Sequence, residues 1–282
     1  MKKYFSLVLF AHSIFALPFA IIGFFLAVTI SSADFNIIKF ILMLLCMVFA
    51  RNAAMAFNRY IDRDIDILNP RTAGRDIPAG RVSPNQALIF TVVNSICFII
   101  GTYFINPLCF YLSPIALLVI LGYSYTKRFT ALCHLVLGLG LGLAPLGAYL
   151  VVTGAFNLVP FFYSLAVIFW VSGFDIIYAL QDEEFDKDKS LHSIPAFFGK
   201  KNALRISELF HVLSAIFVIL PIFYINLGWL YYLGVIFYIS LLIYQHIIIS
   251  PTDLRRVNRA FMTTNGMASV IFALFFLLDI WI

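Results

Sequence analysis

Residues 58–84 read N-R-Y-I-D-R-D-I-D-I-L-N-P-R-T-A-G-R-D-I-P-A-G-R-V-S-P, and three polar residues among them, Asn58, Asp62 and Asp66, recur at every fourth position. An α-helix turns about 100° per residue, so each step of four overshoots a full turn by only about 40° and the three side chains share one face. Two long apolar runs flank the stretch, which holds five of the nineteen Lys and Arg residues. A carboxylate row backed by arginines at the edge of an apolar region indicates a site for a divalent cation and an anionic substrate.

A second carboxylate row follows later in the chain. Asp182 and Asp186 lie seven and eleven residues after Asp175, so these three side chains also fall within about 40° of one helix face. Carboxylates from the two rows, if brought together, would repel one another and take up protons unless a cation balanced them. Oxygen ligands shared with substrate phosphates are the usual setting for Mg²⁺. The predicted Mg²⁺ ligands are Asn58, Asp62, Asp66, Asp182 and Asp186.

Basic residues near both rows are predicted to hold an anionic diphosphate: Arg51, Arg63, Arg71, Arg75, Lys127 and Arg128. The alternative is that such a basic residue lies in a loop, contacts only solvent and binds no ligand. That interpretation is preferred for Lys200, Lys201, Arg255 and Arg256. Arg51 and Asp175 lie within apolar runs, where a charge costs several kcal/mol and marks a functional interior. A paired structural role is the alternative for each of these two residues.

The composition predicts a polytopic all-α membrane protein. Hydrophobic residues make up 62% of the 282 residues and charged residues only 12%, against about 25% in a soluble domain. Mean hydropathy is +0.98, which excludes a water-soluble fold. The runs long enough to cross about 30 Å of hydrocarbon number about nine, near residues 5–30, 37–57, 87–105, 108–124, 131–152, 160–181, 206–226, 229–249 and 262–282. They leave no soluble domain, so residues 1–282 are expected to form a single transmembrane domain.

The basic residues predict the orientation of the chain. With the N-terminus in the cytoplasm, nearly all of them fall on the cytoplasmic side, and only Lys39 falls toward the other face. Both aspartate rows are then expected at the same cytoplasmic surface. The apolar run from Phe5 to about Ile30 has no small-residue cleavage site, so it is interpreted as a first membrane helix and not as a signal peptide. Short loops and the absence of a transit peptide favour a bacterial inner membrane. The loop positions of the basic residues argue against nucleic acid as a partner, and no obligate protein partner is evident.

Small residues at Gly138 and Gly142 predict close helix packing. The G-x-G-x-G pattern they belong to resembles a nucleotide-binding turn, but no strand precedes it and it lies inside an apolar run.

These motifs together resemble the UbiA superfamily of intramembrane prenyltransferases. Asn58-x3-Asp62-x3-Asp66 is similar to its first aspartate motif, and Asp175-x2-Tyr178 followed by Asp182-x3-Asp186 is similar to the second. Further matching elements are Tyr123-x3-Lys127 with Arg128, Arg75-Asp-Ile-Pro78, and Arg51 seven residues before Asn58. The resemblance covers nearly the whole chain.

The resemblance implies a helical bundle around a central cavity that opens to lipid. It implies that Mg²⁺ bridged by aspartates holds a polyprenyl diphosphate, and that Lys127 with the arginines stabilises the departing diphosphate. An aromatic acid would then attack the allylic cation. Either Asp175 or Asp182 would take up the ring proton or steady the cation. The implied substrate-binding residues are Arg51, Arg63, Arg75, Tyr123, Lys127, Arg128 and Tyr178.

Several alternatives remain open at the level of the sequence. The acceptor is either 4-hydroxybenzoate or a related acid of the futalosine route to menaquinone, and a haem O synthase-like farnesyl transfer is a further alternative. A cation or proton transporter is the rival from another class, although its ion sites would lie nearer the bilayer midplane. His12 is expected either to contact the acceptor or to be a buried structural histidine, while His134, His211 and His246 are predicted to be structural. Residues that turn away from the shared faces are predicted not to touch metal: Asp64, Glu183, Glu184 and Asp188.

Overall fold

The computed structural model describes Leu7 and residues 14–282. Within these residues the chain is helical, and the only β-type pairing is an isolated bridge between Ser250 and Asp253. Eight helical stretches among them are long and apolar enough to cross a bilayer, and Leu17–Ser31 is a shorter apolar helix. The expectation of an all-α, polytopic membrane protein is therefore confirmed. Residues 5–13 of the predicted first span lie outside the described residues apart from Leu7, and so does the prediction for His12.

The helices are α1 (Leu17–Ser31), α2 (Ile37–Ile61), α3 (Arg63–Asp66), α4 (Pro84–Tyr103), α5 (Pro107–Thr126), α6 (Cys133–Thr153), α7 (Leu158–Ala179), α8 (Glu183–Asp188), α9 (Ile194–Ile219), α10 (Trp229–Ile248) and α11 (Asn265–Trp281). Short 3-10 turns span Leu180–Asp182 and Leu220–Phe223, and a π-helical turn spans Arg259–Thr264. Side-chain oxygens of Asn36, Ser83, Asn157 and Ser193 cap the helices that follow them.

One helix begins well before its predicted apolar run. The seventh run was predicted from residue 206, but α9 begins at Ile194. Its first turns contain Lys200 and Lys201, so hydropathy alone does not detect them. Gly199 has a φ of 76°, a left-handed conformation that interrupts the helix there and that glycine adopts without steric cost.

The chain forms two compact units. The first unit comprises Asn36–Tyr125 and Leu7 among the described residues. In it α2 packs against α4, and Asn52 Nδ2 donates a hydrogen bond to Asn94 Oδ1 across the helix pair at 3.2 Å. A small buried cluster of Leu7, Ala56, Ile77, Val82 and Ala87 joins α2 to the loop that leads into α4. This cluster anchors the polar loop of residues 67–83 to the helices.

The second unit comprises Ile14–Phe35 and Thr126–Ile282, and its core is aromatic. Fully buried aromatic side chains at its centre are Phe19, Tyr163, Trp170, Tyr231, Tyr238, Phe272 and Phe276. The buried hydroxyls are satisfied, since Tyr163 donates to Tyr231 Oη and Tyr231 donates to the carbonyl of Val218. Trp170 Nε1 donates to Asn265 Oδ1 at 2.8 Å. Aromatic packing of this kind provides rigid support for α7, the helix that carries Asp175.

Glycines let α6 approach α7 closely. A Cβ atom at Gly138 would collide with the backbone carbonyl of Ile168 on α7, and one at Gly142 would lie 2.5 Å from an Ile168 side-chain carbon. The prediction that these glycines permit close helix packing is confirmed. The contact brings the N-terminal turn of α6 against α7.

Candidate functional site

The first aspartate segment, residues 58–84, begins in the last turn of α2. The sequence predicts one continuous helical face here, but α2 ends at Ile61 and α3 restarts at Arg63 because Asp62 leaves helical geometry, with φ −89° and ψ 4°. The break does not destroy the four-residue repeat. The amide of Asp62 donates to the carbonyl of Asn58 at 2.9 Å, and the amide of Asp66 donates to the carbonyl of Asp62 at 2.7 Å.

The three residues of the four-residue repeat take part in two polar pairs. Asn58 Nδ2 donates to Asp62 Oδ2 at 2.7 Å, and Arg75 Nη1 donates to Asp66 Oδ1 at 2.6 Å. Asp66 is 4% exposed, and its second oxygen, Oδ2, is buried with no hydrogen-bond partner among the described residues. Burying a carboxylate oxygen without a hydrogen-bond partner costs free energy, and a bound cation would offset that cost. These oxygen donors therefore fit a hard divalent metal ion. Within the described residues no group of three His, Cys, Asp or Glu side chains is placed to hold a metal unaided.

The predicted arginines of the first unit differ in their surroundings. Arg63 is half-buried, donates to the carbonyl of Tyr60 at 2.6 Å and lies over the Tyr60 ring at 4.7 Å. Arg51 is half-buried within α2, whereas Arg71 is exposed. Arg59, which the sequence did not predict as a site residue, is 7% exposed in the last turn of α2. Its place immediately after Asn58 was the only available signal.

The second aspartate segment, residues 175–194, is not one continuous α-helix. Asp175 belongs to α7, a 3-10 turn covers Leu180–Asp182, and Asp186 belongs to α8. A 3-10 turn advances about 120° per residue instead of 100°, so the single helix face predicted for the three aspartates is wrong in its detail. Asp182 and Asp186 are buried, at 6% and 0% exposed, while Asp175 is half-buried.

Asp186 has a cationic partner and a hydroxyl partner. Lys127 Nζ lies 2.7 Å from Asp186 Oδ1, and Ser193 Oγ donates to Asp186 Oδ2 at 2.8 Å. Burial by itself would lower the pKa of Lys127, but the charge and hydrogen bond of Asp186, with the charge of Asp182, outweigh it and raise the pKa above the ordinary lysine value. Lys127 therefore stays an ammonium ion at neutral pH. The sequence did not single out Ser193, whose pattern as a helix N-cap gives no hint of this second contact.

Asp175 is paired with a histidine. Its Oδ2 lies 2.6 Å from Nδ1 of His134, in the first turn of α6, and the amide of Ile194 donates to His134 Nε2 at 3.3 Å. The sequence assigned His134 a structural place and therefore did not predict this pair. The available signal for a functional His134 was its position at the start of an apolar helix. Its partner Asp175 was not predictable from the sequence, because the two residues are forty-one positions apart.

The other predicted residues of the second unit have less specific surroundings. The Tyr178 ring packs on Phe261 with centroids 4.3 Å apart, and Arg128 is exposed. Glu183 is paired with Lys187 at 2.6 Å and with Lys200 at 3.7 Å. The expectation that Lys200 contacts only solvent is therefore wrong. The predictions that Asp64, Glu183, Glu184 and Asp188 do not touch metal stay predictions.

The fold and the two aspartate segments define a multi-span membrane protein of a recognisable class. Residues 16–275 match the UbiA prenyltransferase family, which is most of the chain. The protein belongs to this family. The expectation of a membrane-embedded prenyltransferase enzyme is thereby confirmed.

Relatives and solved structures agree with this assignment. The chain is 30% identical over 224 residues to a 4-hydroxybenzoate octaprenyltransferase of Aeromonas hydrophila subsp. hydrophila, covering 79% of this chain and 77% of that protein. It superposes on the apo structure of a UbiA homologue from Aeropyrum pernix K1 with a TM-score of 0.86 and 33% identity, over 95% and 98% of the two chains. A UbiA homologue from Archaeoglobus fulgidus bound to GPP and Mg²⁺ gives a TM-score of 0.76 at 21% identity, over 99% and 100% of the chains. That last likeness shows the fold alone.

Proposed function

We propose that this protein catalyses the Mg²⁺-dependent transfer of a polyprenyl group from a polyprenyl diphosphate to an aromatic acid. The observation that carries the proposal is the surroundings of Asp66: a buried carboxylate with one oxygen on Arg75 and the other without a protein partner among the described residues. A buried carboxylate with one oxygen on an arginine and the other without a described protein partner suits the binding of a metal-bound diphosphate.

The metal ligands in this proposal are the five predicted from the sequence: Asn58, Asp62, Asp66, Asp182 and Asp186. Mg²⁺ bound by these oxygens would supply positive charge to the diphosphate as it leaves. The cations that bind and neutralise the diphosphate are Arg51, Arg63, Arg75, Lys127 and Arg128, with Tyr123 and Tyr178 in supporting contact with the substrates.

The allylic carbon, once separated from the diphosphate, is attacked by an electron-rich ring carbon of the aromatic acid. A new carbon–carbon bond forms, and the ring then loses a proton to recover its aromaticity. Asp175 and Asp182 are the carboxylates proposed to take up this proton or to steady the cation before attack. Lys127 remains protonated throughout and contributes charge stabilisation to the departing diphosphate.

The acceptor is proposed to be 4-hydroxybenzoate or the related aromatic acid of the futalosine route to menaquinone. The Aeromonas hydrophila relative carries the name 4-hydroxybenzoate octaprenyltransferase, which supports a quinone-pathway acceptor. We place the enzyme in a bacterial inner membrane with its reactive groups at the cytoplasmic face, as the distribution of Lys and Arg predicts. The whole chain serves as one prenyltransferase domain.

The direct test is prenyl transfer by the purified protein in detergent. Geranyl diphosphate is offered with a panel of aromatic acids, with Mg²⁺ or with EDTA, and the products are identified by mass spectrometry. The expected result is a prenylated acid that forms only with Mg²⁺ and is abolished in Asp62→Ala and Asp182→Ala. The accepted acid decides between the two quinone pathways.

Two matched variants control for a general loss of charge. Asp64→Ala changes a residue two positions after Asp62 whose side chain is 82% exposed, and Glu184→Ala changes an exposed residue next to the buried Glu183. Both should keep most of the activity of the unchanged protein. Absence of product with every acid, or full activity in EDTA, would refute the proposal.

A further inference from the structure

We infer that His134 is a positioning residue, which holds the Asp175 carboxylate so that its second oxygen, Oδ1, accepts the proton released by the prenylated ring. The inference rests on the proposed function and names a residue to which that function assigns no role. It follows from three features of the second unit: the geometry of the His134–Asp175 pair, the hydrogen bond on the far side of the imidazole, and the contrast between Asp175 and Asp186.

His134 is held rigidly in the first turn of α6. His134 is 3% exposed, and its backbone carbonyl accepts a hydrogen bond from Ser172 Oγ on α7 at 3.0 Å. Close packing at Gly138, one helical turn later, brings α6 against the same helix. The imidazole therefore has little freedom to move relative to Asp175, which lies on α7 three residues after Ser172.

The hydrogen bond on Nε2 determines which ring nitrogen carries the proton. The backbone amide of Ile194 points its N–H at Nε2, 3.3 Å away, so Nε2 acts as an acceptor. A neutral imidazole with a bare Nε2 carries its proton on Nδ1. Nδ1–H therefore donates to Asp175 Oδ2 across 2.6 Å, and the Asp175 carboxylate is the acceptor. This arrangement orients one carboxylate oxygen toward the imidazole.

The second oxygen of Asp175 stays available. The Asp175 side chain is 23% exposed, and Oδ1 accepts no hydrogen bond from any described residue. Asp186 differs, because its side chain is fully buried and its two oxygens contact Lys127 and Ser193. Of these two carboxylates, only Asp175 combines a partly exposed side chain with one oriented oxygen and one oxygen that accepts no described hydrogen bond, which suits a general base.

The proton transfer balances without any further reactant. After the carbon–carbon bond has formed, the ring C–H bond at the alkylated carbon breaks and its electron pair returns to the aromatic system. The proton goes to Asp175 Oδ1, while His134 keeps its own proton on Nδ1. Asp175 releases the proton to solvent before the next turnover.

Two substitutions separate this role from structural support. His134→Asn places an amide N–H near the position of Nδ1, so it keeps the donor to Asp175 and loses the acceptor for Ile194. His134→Gln reaches the position of Nε2, so it keeps a partner for Ile194 and loses the donor to Asp175. His192→Gln is the matched control, because His192 lies two residues before Ile194 and is exposed.

The variants are compared in the detergent assay with the acid that the unchanged protein accepts best. That acid is used in ordinary form and deuterated at the ring carbon that is alkylated. We expect His134→Gln to lower kcat by about 10- to 100-fold with little change in KM for geranyl diphosphate, and to show a larger deuterium isotope effect than the unchanged protein. His134→Asn and His192→Gln should stay within about threefold of the unchanged kcat. In an Asp175→Asn background, His134→Gln should have no further effect.

Other results would overturn the inference. Equal losses in His134→Asn and His134→Gln, together with lowered thermal midpoints, would make His134 a support for Ile194. A deuterium isotope effect in His134→Gln equal to that of the unchanged protein would show that His134 has no part in the loss of the ring proton. If the unchanged protein forms the prenylated product and His134→Gln is fully active, this inference alone is overturned. If the unchanged protein forms no product, the proposed function is overturned as well.

Discussion

Lys127→Met tests how strongly the Lys127–Asp186 ion pair stabilises the second unit. Asp186 has a 0% exposed side chain, so removing the ammonium 2.7 Å away leaves a buried carboxylate with Ser193 as its remaining described partner. Breaking a fully buried pair costs about 3–5 kcal/mol, but the Lys127 side chain is 38% exposed, and water would reduce the cost to about 2–3 kcal/mol. At about 2–4 °C per kcal/mol, the unfolding midpoint should fall by about 4–12 °C.

The measurement is thermal unfolding of the purified protein in detergent with EDTA, so that no divalent cation replaces the lysine. Lys187→Met is the matched control. Lys187 is also paired, with Glu183 at 2.6 Å, but its side chain is 51% exposed and the pair should contribute less than about 1 kcal/mol. The double variant Lys127→Met/Asp186→Asn should recover much of the loss, because it removes the buried charge. An unchanged unfolding midpoint for Lys127→Met, or a double variant less stable than Lys127→Met, would show that Lys127 does not stabilise the buried Asp186 carboxylate.

Two further predictions concern helix packing and the first aspartate segment. Gly138→Ala should destabilise the protein by about 1–3 kcal/mol because its Cβ meets the α7 backbone, whereas Gly147→Ala on the same helix, with no atom within 4 Å of a Cβ, should not. Equal midpoints for the two variants in the same detergent assay would contradict the packing argument. Arg75→Gln should raise KM for geranyl diphosphate about tenfold or more, a loss of about 1.4 kcal/mol or more, because Asp66 loses its guanidinium partner. Arg256→Gln, at an exposed arginine, is the control, and an unchanged KM in Arg75→Gln would exclude Arg75 from the diphosphate site.

The membrane spans were predictable because hydropathy is a local property. The run predicted at residues 229–249 corresponds to α10 at Trp229–Ile248, and the run at 131–152 corresponds to α6 at Cys133–Thr153. The start of α9 was not predictable in this way, since its first turns are polar and are broken at Gly199. The N-cap at Ser193 is only a weak sequence signal for the start of a membrane helix, because two lysines follow it in the first turns.

The local shape of the two aspartate segments was only partly predictable. Spacing of four places Asn58, Asp62 and Asp66 in register, and the backbone hydrogen bonds between them keep that register. The interruption at Asp62 and the 3-10 turn before Asp182 do not follow from spacing. Both depend on how the chain leaves a membrane helix and packs its next turn, which residue periodicity does not encode.

By itself, the sequence determined that this is an all-helical membrane protein with two carboxylate rows and nearby cations, because hydropathy and residue spacing act over one or two helical turns. Only the tertiary structure decided the partner of each carboxylate. Asp186 contacts Lys127 from 59 positions earlier in the chain, and Asp175 contacts His134 from 41 positions earlier. These contacts of 2.6–2.7 Å exist because α6 packs closely on α7 and because residues 192–194 return to Lys127 and His134. Hydrogen bonds of that length depend on three-dimensional packing, so no pattern within either row could predict them.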